Sequence, residues 1–304
     1  MSRSERQYRF RMRQFGWRDE LKFLIRGISG GFLFGIPLIY TMEVWWIGSY
    51  TEPPVKLALL AVTFGVIFLL SRTESFGDDP SERFSQTFRK SIKSLAIGII
   101  CTTFILILLR EIRIETSLNE ALGKIIYEGM PFSIGVALSK VLLNDTDDDR
   151  FEDKADLNEN QYSAGALRSE DLYSATLADI GATFIGAFFI AFSIAPTDEI
   201  SMLTSATSPP FLLAIIAASL AISYAIVFAS GFTTQDKRNS QRGLFQNPID
   251  ETVMSYLVSL FASILMLLFF QRLNFSDPWT WWLEQALILG LPATVGGAAG
   301  RLAV

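Results

Sequence analysis

The fold class predicted by this sequence is all-α: a polytopic membrane protein with eight transmembrane helices, arranged as two parallel four-helix repeats. Three observations predict it. The first is internal repetition. Gly30-Gly31-Phe32 through Thr41-Met42-Glu43-Val44 is written again as Gly186-Ala187-Phe188 through Thr197-Asp198-Glu199-Ile200, and at the same offset of 156 residues Pro53-Pro54 meets Pro209-Pro210. At an offset of 161, Pro131-Phe132-Ser133-Ile134-Gly135 meets Pro292-Ala293-Thr294-Val295-Gly296, and Lys140 meets Arg301. The second is hydropathy: half of the 304 residues are hydrophobic and mean hydropathy is +0.33. The apolar residues are gathered into runs of about 18 or more, long enough to cross a hydrocarbon layer of roughly 30 Å. The third is the segregation of positive charge described below.

Eight helical spans are expected in order, at about Leu21–Trp46, Val55–Ser71, Ser91–Leu109, Ala121–Leu143, Asp171–Ala195, Pro210–Ser230, Thr252–Gln271 and Trp281–Ala303. This divides the chain into a basic interfacial tail (1–20), a first membrane repeat (21–143), an acidic cytoplasmic loop (144–169) and a second membrane repeat (170–304). With the amino terminus cytoplasmic, 21 of the 26 Lys and Arg residues fall on that side, leaving only Lys56, Arg110, Arg113, Lys124 and Arg272 in the outer half. Both termini are therefore expected in the cytoplasm. Trp45, Trp46 and Tyr50 at the end of span one, and Trp279, Trp281 and Trp282 at the start of span eight, read as outer interfacial belts. An even number of spans per repeat makes both copies enter from one side, so the axis relating them runs along the membrane normal.

Outside the spans, the tail Tyr8-Arg9-Phe10-Arg11-Met12-Arg13 suits an anionic headgroup layer, with its rings at the interface and guanidinium groups on phosphates. Nucleic-acid binding is not expected, and no cleaved signal peptide is read at Met1-Ser2-Arg3. In the acidic loop, Asp145, Asp147, Asp149, Asp153 and Asp156 match positions 1, 3, 5, 9 and 12 of a calcium-binding EF-hand loop. Arg150 stands where that loop needs Gly, and Asp156 where it needs a bidentate Glu. A solvated linker is therefore the ordinary reading and Ca²⁺ the one cofactor the segment suggests. The chain has no histidine and a single cysteine, Cys101, which removes His-based catalysis and His-ligated metals. An enzyme is not expected.

Within the spans, Glu128 is the deepest acid. Lys124 lies one turn away on the same face, and Pro131 displaces the carbonyl of Tyr127. Pro292 in span eight does the same to Ile288. Two kinked spans at matching places point to a central ion pathway formed by Glu128, Lys124, Tyr127, Pro131, Ile288 and Pro292, with freed carbonyls as oxygen ligands. A Lys124–Glu128 ion pair on a kinked helix is the plain structural alternative. Asp179, on the inner third of span five, is a further candidate. Thr41, Glu43, Thr197, Asp198 and Glu199 fall at the outer ends of spans one and five, where a ring of acids would concentrate cations at a mouth. Ordinary interfacial charge is the plainer reading.

The segment Tyr40-Thr41-Met42-Glu43-Val44-Trp45-Trp46, with Glu128-Gly129-Met130-Pro131 and the Trp-rich eighth span, resembles an uncharacterised family of bacterial, including cyanobacterial, integral membrane proteins of unknown function. That resemblance covers nearly the whole chain and implies a multi-span membrane protein, with no functional residue to carry over. Two functions are expected to compete: a cation channel or ion-coupled transporter, compatible with a homo-oligomer and with inorganic ions as partners, and a non-transporting scaffold or accessory protein regulated through its cytoplasmic loops.

Overall fold

The computed structural model describes residues 20–73, 80–153, 169–230 and 247–302. Every regular element among them is a helix. They are α1 (20–35), α2 (Met42–Tyr50), α3 (Pro53–Thr73), α4 (Pro80–Leu108), α5 (Leu118–Asp153), α6 (Ser169–Ile194), α7 (Glu199–Ala206), α8 (Pro209–Tyr224, continued as a π turn over Ala225–Ala229), α9 (Pro248–Phe269) and α10 (Trp279–Leu302). Five of them contain stretches long and apolar enough to cross a membrane: Pro53–Arg72, Phe84–Leu108, Thr176–Ile194, Pro209–Ala229 and Pro248–Phe269.

The expected first span, Leu21–Trp46, is not one helix. It divides into α1 and the short α2, because Pro37 supplies no amide donor and disfavours helical geometry at the residue before it. The chain turns over 36–38, with the amides of Leu38 and Ile39 both bonding the Gly35 carbonyl. In the second half, Pro196 stops α6 in the same way, and α7 follows as a short helix that hydropathy alone did not separate. The order long, short, long, long, long thus occurs twice.

Main-chain detail repeats with it. The amides of Val55 and Lys56 bond the Glu52 carbonyl, and those of Phe211 and Leu212 bond the Ser208 carbonyl, at an offset of 156. Helices α4 and α9 both end on a non-glycine residue in the left-handed region, Arg110 (φ 61°) and Gln271 (φ 59°). The next two amides, Glu111 and Ile112 in one case and Arg272 and Leu273 in the other, return to the carbonyls of Leu106 and Leu267, at an offset of 161.

Each half is wrapped around its last helix. In the first, α5 packs against α1, α2, α3 and α4; in the second, α10 packs against α6, α7, α8 and α9. These two are the least lipid-like helices, because neighbours rather than hydrocarbon surround them. On α10 every residue from Gln285 to Ala298 is buried. Close approach comes from glycine. A Cβ on Gly135 would overlap the Gly30 carbonyl, and one on Gly296 the Gly186 carbonyl, at corresponding positions in the two halves. Outward-facing residues are large and apolar: Leu57 and Leu69 on α3, Ile100 and Phe104 on α4, Phe189 on α6, Leu213 on α8, Leu257 and Phe261 on α9. A soluble fold would hide such an area, whereas lipid solvates it.

Neither of the two spans expected to bend at proline is divided into separate helices. Helices α5 and α10 run through Pro131 and Pro292 without interruption. They also do not pack extensively on one another.

The glycine contacts make a testable contrast. Gly186→Val should lower the stability of the detergent-solubilised protein by about 1–3 kcal/mol or more through overpacking. Gly65→Ala, where nothing lies within 4 Å of an added Cβ, should be neutral or stabilising by up to about 1 kcal/mol. Thermal unfolding of the two variants beside the parent measures the difference.

Candidate functional site

Glu128 lies ten residues into α5, about 15 Å from the start of that helix and half the thickness of a hydrocarbon layer. It is 2% exposed, and its Oε1 has no hydrogen-bond partner. Helix α2 covers it. Trp45, 1% exposed, puts its indole against the carboxyl without closing a hydrogen bond, so Nε1 is also a buried polar atom without a partner. Gly48, three residues on and on the same face of α2, meets Gly123 of α5 backbone to backbone, which brings the Trp45 ring onto α5. From α4, the Thr102 hydroxyl lies 2.9 Å from the Gly98 carbonyl and 3.4 Å from the carbonyl of Glu128. Every one of these neighbours belongs to the first half.

Lys124 does not neutralise Glu128, which corrects the expected Lys124–Glu128 pair. Its ammonium lies 3.1 Å from the Glu111 carboxylate, 3.0 Å from Glu120, and 3.1 Å from the Glu111 carbonyl. The left-handed residue at Arg110 turns the chain so that Glu111 comes back over α5 and competes for the lysine. Lys56, also buried, donates to the backbone carbonyl and side-chain oxygen of Asn119 at 2.5 and 2.9 Å. The amino-terminal end of α5 is thus a compact charged cluster, and Glu128 sits one turn below it. The Tyr127 hydroxyl is held by Thr51 at 3.2 Å.

The Ile288 carbonyl, displaced by Pro292 and expected as a free oxygen ligand, is occupied. The buried Tyr40 hydroxyl donates to it at 2.8 Å, across 248 residues of sequence. This bond ties the α1–α2 connection of the first half to α10 of the second. Tyr40 is one of two residues that sequence reasoning missed. The other is Trp45: read together with Trp46 as an interfacial belt, only Trp46 (56% exposed) faces outward. The signal for Trp45 was its helical spacing to Gly48.

The acids expected at an outer mouth differ in exposure. Glu43 is exposed, whereas Glu199 is 5% exposed and turned inward, its Oε1 accepting from the Met42 amide at 3.4 Å. Asp198 is engaged by Arg272 at 2.7 Å. Thr41 and Thr197 each donate to the carbonyl three residues back, Leu38 and Ile194, and so close turns instead of lining an opening. Asp179 is half-buried on α6, and its carbonyl accepts from Thr183. At the other end of the molecule, Arg301 pairs with Glu251 and lies over the Phe228 ring, while the Arg26 guanidinium donates to the Ser230 carbonyl beside the π turn.

The acidic segment departs from its expected form. Asp145, Asp147, Asp149 and Asp153 lie on the continuous helix α5, where a calcium loop would need a turn; Asp156 lies outside the described residues, as does the basic tail 1–19. Among the described residues no group of three or more Cys, Asp or Glu is placed to hold a metal ion.

A helical bundle with an apolar exterior and ionisable groups folded inward is the architecture of an integral membrane protein. The chain belongs to the family described as "Putative integral membrane protein (DUF2391)", whose model matches residues 23–304. No curated protein and no solved structure matches it.

The Tyr40–Ile288 bond can be tested by Tyr40→Phe, which removes the hydroxyl and keeps the ring. A loss of about 1 kcal/mol is expected, measured as a shift in the unfolding midpoint in detergent.

Proposed function

We propose that this protein translocates a cation across a bacterial plasma membrane, as an ion-coupled transporter or channel, with Glu128 as its ion-binding group. The observation that carries the reading is a carboxyl near mid-depth in the bundle with a buried oxygen that has no partner. An acid at such depth costs several kcal/mol unless it has a partner or a purpose, and Lys124, its nearest cation along the helix, is committed to Glu111 and Glu120.

The topology that goes with this function has eight crossings, two for each pair of long helices in the repeated order, with α2 and α7 as short helices at the outer end. The two halves are copies of one unit related by an axis along the membrane normal. Both termini lie in the cytoplasm, as the placement of Lys and Arg requires. The ion site belongs to the first half alone: the positions corresponding to Lys124 and Glu128 are Gln285 and Leu289. The path we infer lies inside one half-bundle, between α2, α4 and α5.

Glu128→Gln should abolish ion flux in proteoliposomes, while Asp148→Asn, far along α5, should leave it intact. Parallel flux assays with several cations measure both. Undiminished flux in the Glu128 variant removes that residue from the mechanism, and a parent protein that carries no ion removes the transport reading.

A further inference from the structure

We propose that the species Glu128 binds is a proton: its carboxyl is an exchangeable proton site within the membrane, with the Trp45 indole as the donor that steadies the oxygen when the proton leaves. The inference rests on the reading of Glu128 as an ion-binding group and names the ion.

The composition of the site selects among cations. Sodium, potassium or calcium needs its hydration shell replaced by several oxygens, six to eight for calcium. Here the expected oxygens are already in hydrogen bonds, the Ile288 carbonyl with Tyr40 and the Tyr127 hydroxyl with Thr51. The Thr102 hydroxyl is oriented toward carbonyls. What faces the carboxyl instead is an N–H group, which repels a metal cation and attracts a carboxylate. Trp45 is 1% exposed and Glu128 2% exposed, with Nε1 and Oε1 both without partners. A proton needs no coordination shell and no extra volume, and it removes the charge that a buried carboxylate could not otherwise balance.

The charged groups around the site fit this assignment. Helix α2 contributes Trp45, while α4 contributes Thr102 and, beyond its end, Glu111, the acid close enough to act on Glu128 through space. Helix α3 contributes Lys56, bound to Asn119, and α5 itself contributes Lys124, bound to Glu111 and Glu120. Glu111 is itself committed to Lys124, and both lysines are engaged away from the carboxyl. In the exchange step, the carboxyl O–H bond breaks and the proton passes to water at the charged end of α5. The freed oxygen then accepts from the Trp45 N–H. No oxidant or co-reactant is involved.

Dicyclohexylcarbodiimide, an apolar reagent that attacks protonated carboxyls, provides the test on the full-length protein in lipid vesicles. An exposed glutamate ionises at about pH 4.3 and stays unmodified at neutral pH. Glu128 should carry the adduct at neutral pH by peptide mass spectrometry, lose it in Glu128→Gln, and keep it in the presence of excess sodium, potassium or calcium. In Trp45→Phe, which preserves the packing and removes the N–H, labelling should persist to a medium more alkaline by about 1–2 pH units. An unlabelled Glu128 in the folded parent, or protection by one of the metal cations, overturns the proton assignment; with flux intact, it leaves the transport reading standing. Labelled Glu128 in vesicles that pass no ion has the opposite meaning: the proton site holds and the transport reading falls.

Discussion

The contact between glycine backbones, Gly30 on Gly135 and Gly186 on Gly296, sets the geometry of everything around it. In lipid, helices gain nothing from hiding apolar side chains from one another, because hydrocarbon receives those equally well. Association then depends on close van der Waals fit, which requires two helices to meet with no side chain between them. With α1 seated on α5 and α6 on α10, the remaining helices close around each central one. The interior this creates is where Ser91, Ser94, Thr102 and Ser133 of the first half, and Thr252, Ser255, Ser259 and Ser263 of the second, are buried. Most of these hydroxyls bond a carbonyl one turn back on their own helix, which keeps them satisfied without water.

On this doubled main chain the chemistry is single. Trp45, Lys124 and Glu128 correspond to Ser201, Gln285 and Leu289. The second half keeps the helix order, the glycine contacts and the left-handed turn, but has replaced the acid by an apolar side chain and the cation by an amide. Gln285 is itself buried, with its Oε1 lacking a partner. Side chains within one half diverge freely once the backbone approach that defines the fold is secured. A few specific polar contacts join the two halves, Tyr40 to Ile288, Met42 to Glu199, Arg110 to Ser208 and Arg26 to Ser230. None of them is repeated at its corresponding position.

Much of this was legible in the sequence, and the reasons for the remainder are physical. Long apolar runs identified the long helices, because hydropathy depends on local composition. The deepest acid could be found by counting residues along α5. The break at Pro37 was harder to see, since apolar residues continue on both sides of it and hydropathy does not register a missing amide donor. Trp45 and Trp46 look alike in sequence and differ only in which face of α2 they occupy. The partners of Lys124 and of the Ile288 carbonyl were not legible at all. Glu111 reaches Lys124 through a turn set by the φ angle of Arg110, and Tyr40 reaches Ile288 only after two half-bundles meet.

The shift between the two offsets has a consequence of its own. Correspondence runs at 156 residues as far as Leu212 and at 161 from the end of α9 onward, so the second half is five residues longer between those points. The connection from α8 to α9 lies within that interval. As a connection it tolerates a change of length better than a packed helix would. It is therefore the natural place to graft a fluorescent or affinity module into the middle of this chain.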